Sequence, residues 1–194
     1  MFSAQSPRTL QFPIRAVTSG PRHHFFGYYG KSPWDFSGRW ILGLETTFMD
    51  RPPTEHDVAT IGLIDTARGN AWRPVAETRA WNWQQGCMLQ WLDGGRGGEI
   101  IFNDRRDGEL VARIVHPDAG RERVLGRPVY GVNAAGTHAV SLNFARLHHQ
   151  RPGYGYAGVD DPWRREDEPA EDGLHAMDLA TGQSRLILRI AAAA

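Results

Sequence analysis

One lysine, Lys31, and one cysteine, Cys87, are all that this 194-residue chain contains of those two residue types. A lone cysteine cannot close an internal disulfide, and it carries no decisive signal of redox compartment. Charge of either sign is not in excess: 22 basic side chains face 22 acidic ones, and the pI is about 7.1. That balance removes the electrostatic footprint of a nucleic-acid binder, so no nucleic-acid partner is expected. No hydrophobic run approaches membrane-spanning length, and the first twenty residues lack the apolar core of a secretory signal. As written, the chain is therefore expected to be cytoplasmic and free of membrane, with export of a longer form left open. A glycine-rich phosphate loop and a serine-nucleophile elbow are both missing. No cofactor and no metal is expected.

What is present is a repeat. A small-residue turn followed by an apolar strand occurs at Ser37–Leu42, Gly97–Phe102 and Ala135–Val140. Each is followed by a second hairpin: Ile61–Ile64 with Trp72–Val75, Val111–Val115 with Arg121–Leu125, and Leu174–Leu179 with Ser184–Ile190. Four short strands per unit, repeated, indicate an all-β fold of the β-propeller type. Three units are too few to close a ring, so the expectation is an incomplete propeller. Its blades fall at about 23–80, 81–126 and 127–190 within a partial propeller over 21–194. Residues 1–20, with Pro7, Pro13 and Ser19-Gly20, read as an N-terminal arm that is a candidate for an outer strand.

The repeats differ mainly in the connection between their second and third strands. Phe144 through Asp172 is the longest of these connections, and Asp104 through Gly108 is the tightest. In an up-and-down blade that connection shares a rim with the link to the next blade, so the length variation is expected on one rim, where function tends to sit. Aligning the units brings His23-His24, Gln84-Gln85 and Arg127 to equivalent strand starts. It also brings Glu45, Asn103 and Asn143 to equivalent strand ends, with Arg51, Arg105 and Arg146 close behind. A histidine, an amide and an arginine facing one point form an acid-base and anion-binding set. The scarcity of lysine leaves the positive charge to arginine, which is suited to bidentate recognition of carboxylate or sulfate.

Blander readings accompany these. Blocks such as Phe25-Phe26-Gly27-Tyr28-Tyr29 and Trp81-Asn82-Trp83 serve blade packing as readily as sugar stacking. His148 and His149 are neighbours that a strand would turn to opposite faces. Cys87, beside Met88 in an expected inner strand, reads as a buried small hydrophobe. The acidic run over 164–172 reads as a solvated loop.

The blocks His23-His24-Phe25-Phe26-Gly27-Tyr28-Tyr29, Glu45-Thr46-Thr47-Phe48-Met49-Asp50-Arg51, Ala80-Trp81-Asn82-Trp83-Gln84-Gln85-Gly86 and Ile101-Phe102-Asn103-Asp104-Arg105 occur in this order. Together they resemble the N-terminal blades of seven-bladed β-propeller polysaccharide lyases of the ulvan lyase type and their uncharacterised bacterial relatives, over roughly residues 20 to 190. The resemblance implies a longer protein that performs β-elimination at a uronic acid, with an anionic carbohydrate as partner. Such chemistry needs a base for the C5 proton, a neutraliser for the carboxylate and an acid for the leaving oxygen. On this reading His24 is the base, Arg127 neutralises charge, and a tyrosine, first Tyr29 with Tyr28, Tyr154 and Tyr156 open, assists proton transfer. His23, Gln85, Asn103, Arg105 and Tyr154 bind substrate. Two other readings stand beside it: a non-catalytic sugar-binding or scaffold propeller, and a glycoside hydrolase using Glu45 and Asp50. Open blade edges imply self-association.

Overall fold

The computed structural model describes residues 12–192, which form three four-stranded antiparallel sheets. The first contains β1 (His23–Phe25), β2 (Trp40–Thr46), β3 (Ala59–Asp65) and β4 (Ala71–Thr78). The second contains β5 (Gln90–Trp91), β6 (Ile100–Arg106), β7 (Glu109–His116) and β8 (Arg121–Leu125). The third contains β9 (Gly131–Val132), β10 (His138–Ser141), β11 (Gly173–Asp178) and β12 (Ser184–Arg189). Within each sheet the spatial order of strands is their chain order. The repeated turn glycines Gly38, Gly98 and Gly136 all sit at positive φ, between 68° and 72°. This left-handed backbone is the one a side chain would resist, and it starts the second strand of each sheet in the same way.

Two hydrophobic layers hold the sheets together. Leu42, Leu44, Ile61 and Leu63 of the first sheet pack against Ile100, Phe102 and Val115 of the second. Strand alternation turns the next residues the other way, so Ile101, Ala112 and Ile114 meet Ala139, Met177 and Leu179 of the third sheet. The middle sheet is covered on both faces, which is why Ile100–Asn103 is apolar at three consecutive positions and buried throughout. Each such aliphatic side chain contributes about 1.5–3 kcal/mol on burial.

The other face of the first sheet is built differently. Gly43 and Gly62 stand directly opposite each other, and the indole of Trp72 lies over both. A Cβ at Gly62 would come within 2.5 Å of the Trp72 ring, so only glycine permits this arrangement.

Several expectations are corrected. Residues 12–22 belong to no sheet, and residues 1–11 of the expected arm lie outside the described residues. Length variation is not confined to the connection between second and third strands, because the chain is also interrupted along the first strand of the first sheet. After Phe25 the chain leaves the sheet and returns at Pro33–Asp35, where Leu42 N donates to Pro33 O and Asp35 N to Trp40 O. The longest connection contains a helix, α1 (Phe144–Gln150), whose N-cap Asn143 accepts from Arg146 N. His148 and His149 are therefore helical neighbours with rings 5.5 Å apart, not strand residues on opposite faces. Cys87 precedes β5 in a turn; it is buried as expected, and burial pushes its thiol far above the usual range. No helix among the described residues is long and apolar enough to cross a membrane.

Candidate functional site

The turn Asn82–Gly86, between the first and second sheets, is a hub that the loop after β1 and the long connection before β11 both contact. Its ends are joined by reciprocal backbone hydrogen bonds between Asn82 and Gly86, and the Asn82 side chain accepts from Gln85 N at 2.7 Å. The same side chain donates to Gly155 O at 2.8 Å, which fixes the long third-sheet connection to the turn. From the first sheet Gly27 approaches so closely that a Cβ there would lie 2.9 Å from Gln85 O.

These contacts place Tyr28 and Tyr29 beside residues of the third sheet. The Tyr28 ring lies 4.7 Å from that of Tyr29 and 6.2 Å from that of Tyr130. The Tyr28 and Tyr130 hydroxyl oxygens are 3.5 Å apart, longer than a tight O–H···O bond. The Tyr130 hydroxyl, above all, raises the pKa of Tyr28, and the Tyr28 hydroxyl likewise raises that of Tyr29, with Arg151 pulling Tyr29 the other way. Arg151 stacks its guanidinium 3.9 Å over the Tyr154 ring. Nearby on α1, His148 has its pKa lowered, first by burial and then by His149, with a backbone hydrogen bond to Tyr154 opposing. The group thus combines phenols that keep their protons, an arginine with no carboxylate partner among the described residues, and an imidazole that favours its neutral form.

The remaining sequence candidates are dispersed. His24 lies opposite Glu45 across β1 and β2, its Nε2 3.1 Å from Glu45 Oε2 but not aligned for a hydrogen bond. Its ring meets Trp72 edge-on at 4.8 Å, on the face that carries the glycine pair. Arg127 lies elsewhere, in a recess of about 260 Å³ between the second and third sheets, beside Asn143, Asp172 and His175. Burial first and then the Arg127 charge lower the pKa of His175. Among the described residues no hydrogen bond, ion pair or ring contact links His24, Tyr29 and Arg127, so the three are not in direct contact. Strand alternation is the cause for His24, since it turns the side chain toward Trp72.

Asn103 and Gln85 are framework residues rather than substrate ligands. Asn103 is fully buried; its Oδ1 accepts from Val129 N at 2.7 Å, and its Nδ2 donates to Val129 O at 2.9 Å and to the Tyr156 hydroxyl at 3.0 Å. Gln85 is 1% exposed, out of reach of a solvent-borne ligand. Arg105 donates to Glu55 O and packs where a side chain at Gly158 would be. His23 lines a cavity of about 350 Å³ with Arg22 and Trp83. Of the candidates, Tyr29 and Tyr154 belong to the tyrosine group. The sequence alone does not single out Tyr130 or Arg151 and marks His148 only as half of a histidine pair, although Arg151-Pro152-Gly153-Tyr154-Gly155-Tyr156 carries aromatics on a turn-forming frame that marks a placed loop.

A cavity of about 560 Å³ lies between the first two sheets and is lined by Asp104, Arg105, Arg106 and Arg113. Two of its arginines are matched by carboxylates: Arg113 pairs with Asp104 and Glu122 at 2.9 and 2.8 Å, and Arg106 with Glu122 at 2.8 Å. Among the described residues no group of three histidine, cysteine or carboxylate side chains has metal-binding geometry.

No protein-family model matches the chain, and no curated protein does. Among solved structures it is similar to the apo form of the isopeptidase AtxE2, with a TM-score of 0.48 and 10% sequence identity. The similarity covers 86% of this chain and 30% of that one, so the chain spans about 30% of that structure's length.

Proposed function

We propose that the three sheets are blades of a β-propeller and that the protein acts on uronic-acid-containing glycans by β-elimination. The observation that carries this reading is the group formed by Tyr28, Tyr29, Tyr130, Arg151 and His148, in which every role of the reaction has a residue suited to it. The protonated Tyr28–Tyr29 pair supplies the acid, because a raised pKa keeps the phenol proton available for the leaving oxygen. His148 supplies the base, because a lowered pKa leaves its imidazole neutral near pH 7. Arg151 binds the carboxylate and stabilises charge that develops on it as C5 loses its proton. The electron pair of the C5–H bond forms the C4–C5 double bond, and the C4–O bond breaks with its electrons leaving on oxygen. His24 and Arg127, which the family resemblance favours, stand outside this group, and the base role passes to His148.

Incubation with uronic-acid polysaccharides tests the reading. A lyase releases an unsaturated uronate that absorbs in the near ultraviolet, whereas a hydrolase releases reducing ends without that chromophore. His148→Ala and Tyr29→Phe are each expected to lower the elimination rate by roughly 10²–10⁴. The 89% exposure of Tyr29 favours a second reading, a sugar-binding propeller without catalysis. In that case the glycan binds and neither product forms.

A further inference from the structure

We infer that the 350 Å³ cavity beside Trp83 is a second saccharide subsite, which takes an anionic sugar unit of a chain whose reacting unit lies at the tyrosine group; this rests on the glycan reading above. The cavity is lined by Arg22, His23, His24, Phe25, Met49 and Trp83 among others, and its size lies at the lower end of small-molecule sites, roughly 300–1,000 Å³.

Trp83 is held as a rigid wall. Its Nε1 donates to Arg51 O at 2.7 Å, and its ring stands perpendicular to those of Trp81 and Phe48 at 5.1 and 5.9 Å. Phe25 supports it at 4.9 Å. The ring is nevertheless only half-buried, and its free part lines the cavity. A fixed indole wall suits the C–H face of a pyranose, because little side-chain entropy is lost when the sugar stacks.

The charge of the site comes from Arg22. The other arginine nearby, Arg51, is committed, with both terminal nitrogens on Asp57 at 2.6 and 2.7 Å. Arg22 is exposed and makes no ion pair among the described residues, so its guanidinium is available for a carboxylate or sulfate on the sugar.

The hub turn connects the cavity to the reacting group. Trp83 faces the cavity, while Gln84 packs over Gly153, its Cγ 3.9 Å from where a side chain there would begin. Asn82 holds Gly155 in the same loop. A glycan crossing this turn would have Tyr154 and Arg151 on one side and Trp83 with Arg22 on the other.

The test is binding of oligogalacturonates and oligoglucuronates of two, four and six residues to the 194-residue chain, followed by calorimetry and by intrinsic tryptophan fluorescence. Wild type is expected to bind the longer oligomers about tenfold more tightly than the dimers. Arg22→Ala, an exposed position with no packing role, and Trp83→Phe, which keeps an aromatic in the stack, are each expected to remove most of that gain and leave dimer binding unchanged. Retention of the full length dependence by both variants overturns the subsite, and so does binding of neutral oligosaccharides as tight as that of the uronates. Absence of binding to any oligouronate overturns it as well. If the length dependence behaves as expected but no unsaturated product forms, the subsite stands and the elimination reading falls. If product forms and the variants match wild type at every length, the reverse holds.

Discussion

Tyr28 and Tyr130, 102 residues apart in the chain, bring their hydroxyl oxygens to 3.5 Å, one from the loop after β1 and the other from the residue before β9. The Tyr130 hydroxyl is the largest influence on Tyr28 and raises its pKa. Removing that hydroxyl in Tyr130→Phe is therefore expected to lower the Tyr28 pKa toward its ordinary value. Titration followed by the ultraviolet absorbance of phenolate measures this, with Tyr28→Phe used to assign the transition. An unmoved Tyr28 transition would mean that the two phenols do not interact in solution.

Asn103 joins the second sheet to the start of the third through both polar atoms of its amide. In Asn103→Ala the Val129 N–H and the Tyr156 hydroxyl lose their partner in a fully buried setting. A buried polar group left without a partner costs about 1–3 kcal/mol, so Asn103→Ala is expected to lose roughly 3 kcal/mol in urea unfolding. A loss below about 0.5 kcal/mol, the ordinary range of surface substitutions, would contradict the buried bridge.

How much of this was legible follows from the distance over which each feature is determined. The second, third and fourth strands of every sheet were readable, because turn glycines such as Gly98 and apolar runs such as Ile100–Phe102 act within a few residues. The first strands were less so. β5 and β9 have two residues each, too few to carry a period, and β1 is followed by a loop that returns to the same sheet. Asn103 was read as a ligand because its polarity was visible and its burial was not; burial depends on Tyr156, 53 residues away. Tyr29 and Tyr154 were found as residue types, whereas their neighbours Tyr130 and Arg151 depended on how the long third-sheet connection folds back on the hub turn. That docking rests on contacts such as Asn82 with Gly155, which no local pattern encodes.

The glycine pair under Trp72 gives a graded prediction. A methyl at Gly62 would stand 2.5 Å from the indole, inside any allowed contact, while one at Gly43 would stand 3.3 Å away. Overpacking of this kind costs typically about 1–3 kcal/mol. Gly62→Ala is expected to fall in that range and Gly43→Ala below it. Because Trp72 also meets His24 edge-on, Gly62→Ala is further expected to shift the imidazole resonances of His24. Equal stability losses at the two glycines would indicate that the ring does not lie where the contacts place it.

Arg113 gives the pH-dependent case. It is 8% exposed and is held by Glu122 through two nitrogens, at 3.1 and 2.8 Å, and by Asp104 at 2.9 Å. The Arg113 hydrogen bonds lower the pKa of Glu122, against the effect of burial. Likewise Arg39 lowers that of Asp65, and Arg51 holds Asp57 far below the usual carboxylate range. A carboxylate whose folded pKa lies below its unfolded value, roughly 4, binds its proton more readily when unfolded, so its contribution is complete above that value and declines as pH falls through the folded one. Stability is thus expected to decline below about pH 4, and these three groups add no slope between pH 6 and 8. In Arg113→Ala the buried Asp104 loses the nearer of its two arginine partners, keeping Arg106 at 3.8 Å, so the cost is expected below the roughly 3–5 kcal/mol of a buried pair broken outright. Glu122, whose pKa Arg113 lowers, gains its proton as the pH falls and no longer benefits from the arginine, so the gap between wild type and variant is expected to narrow in the carboxylate range. Denaturation midpoints measured from pH 3 to pH 8 check this, and a gap that stays constant across the range would show that Arg113 acts through packing over Phe102, 5.0 Å from its guanidinium, rather than through its charge.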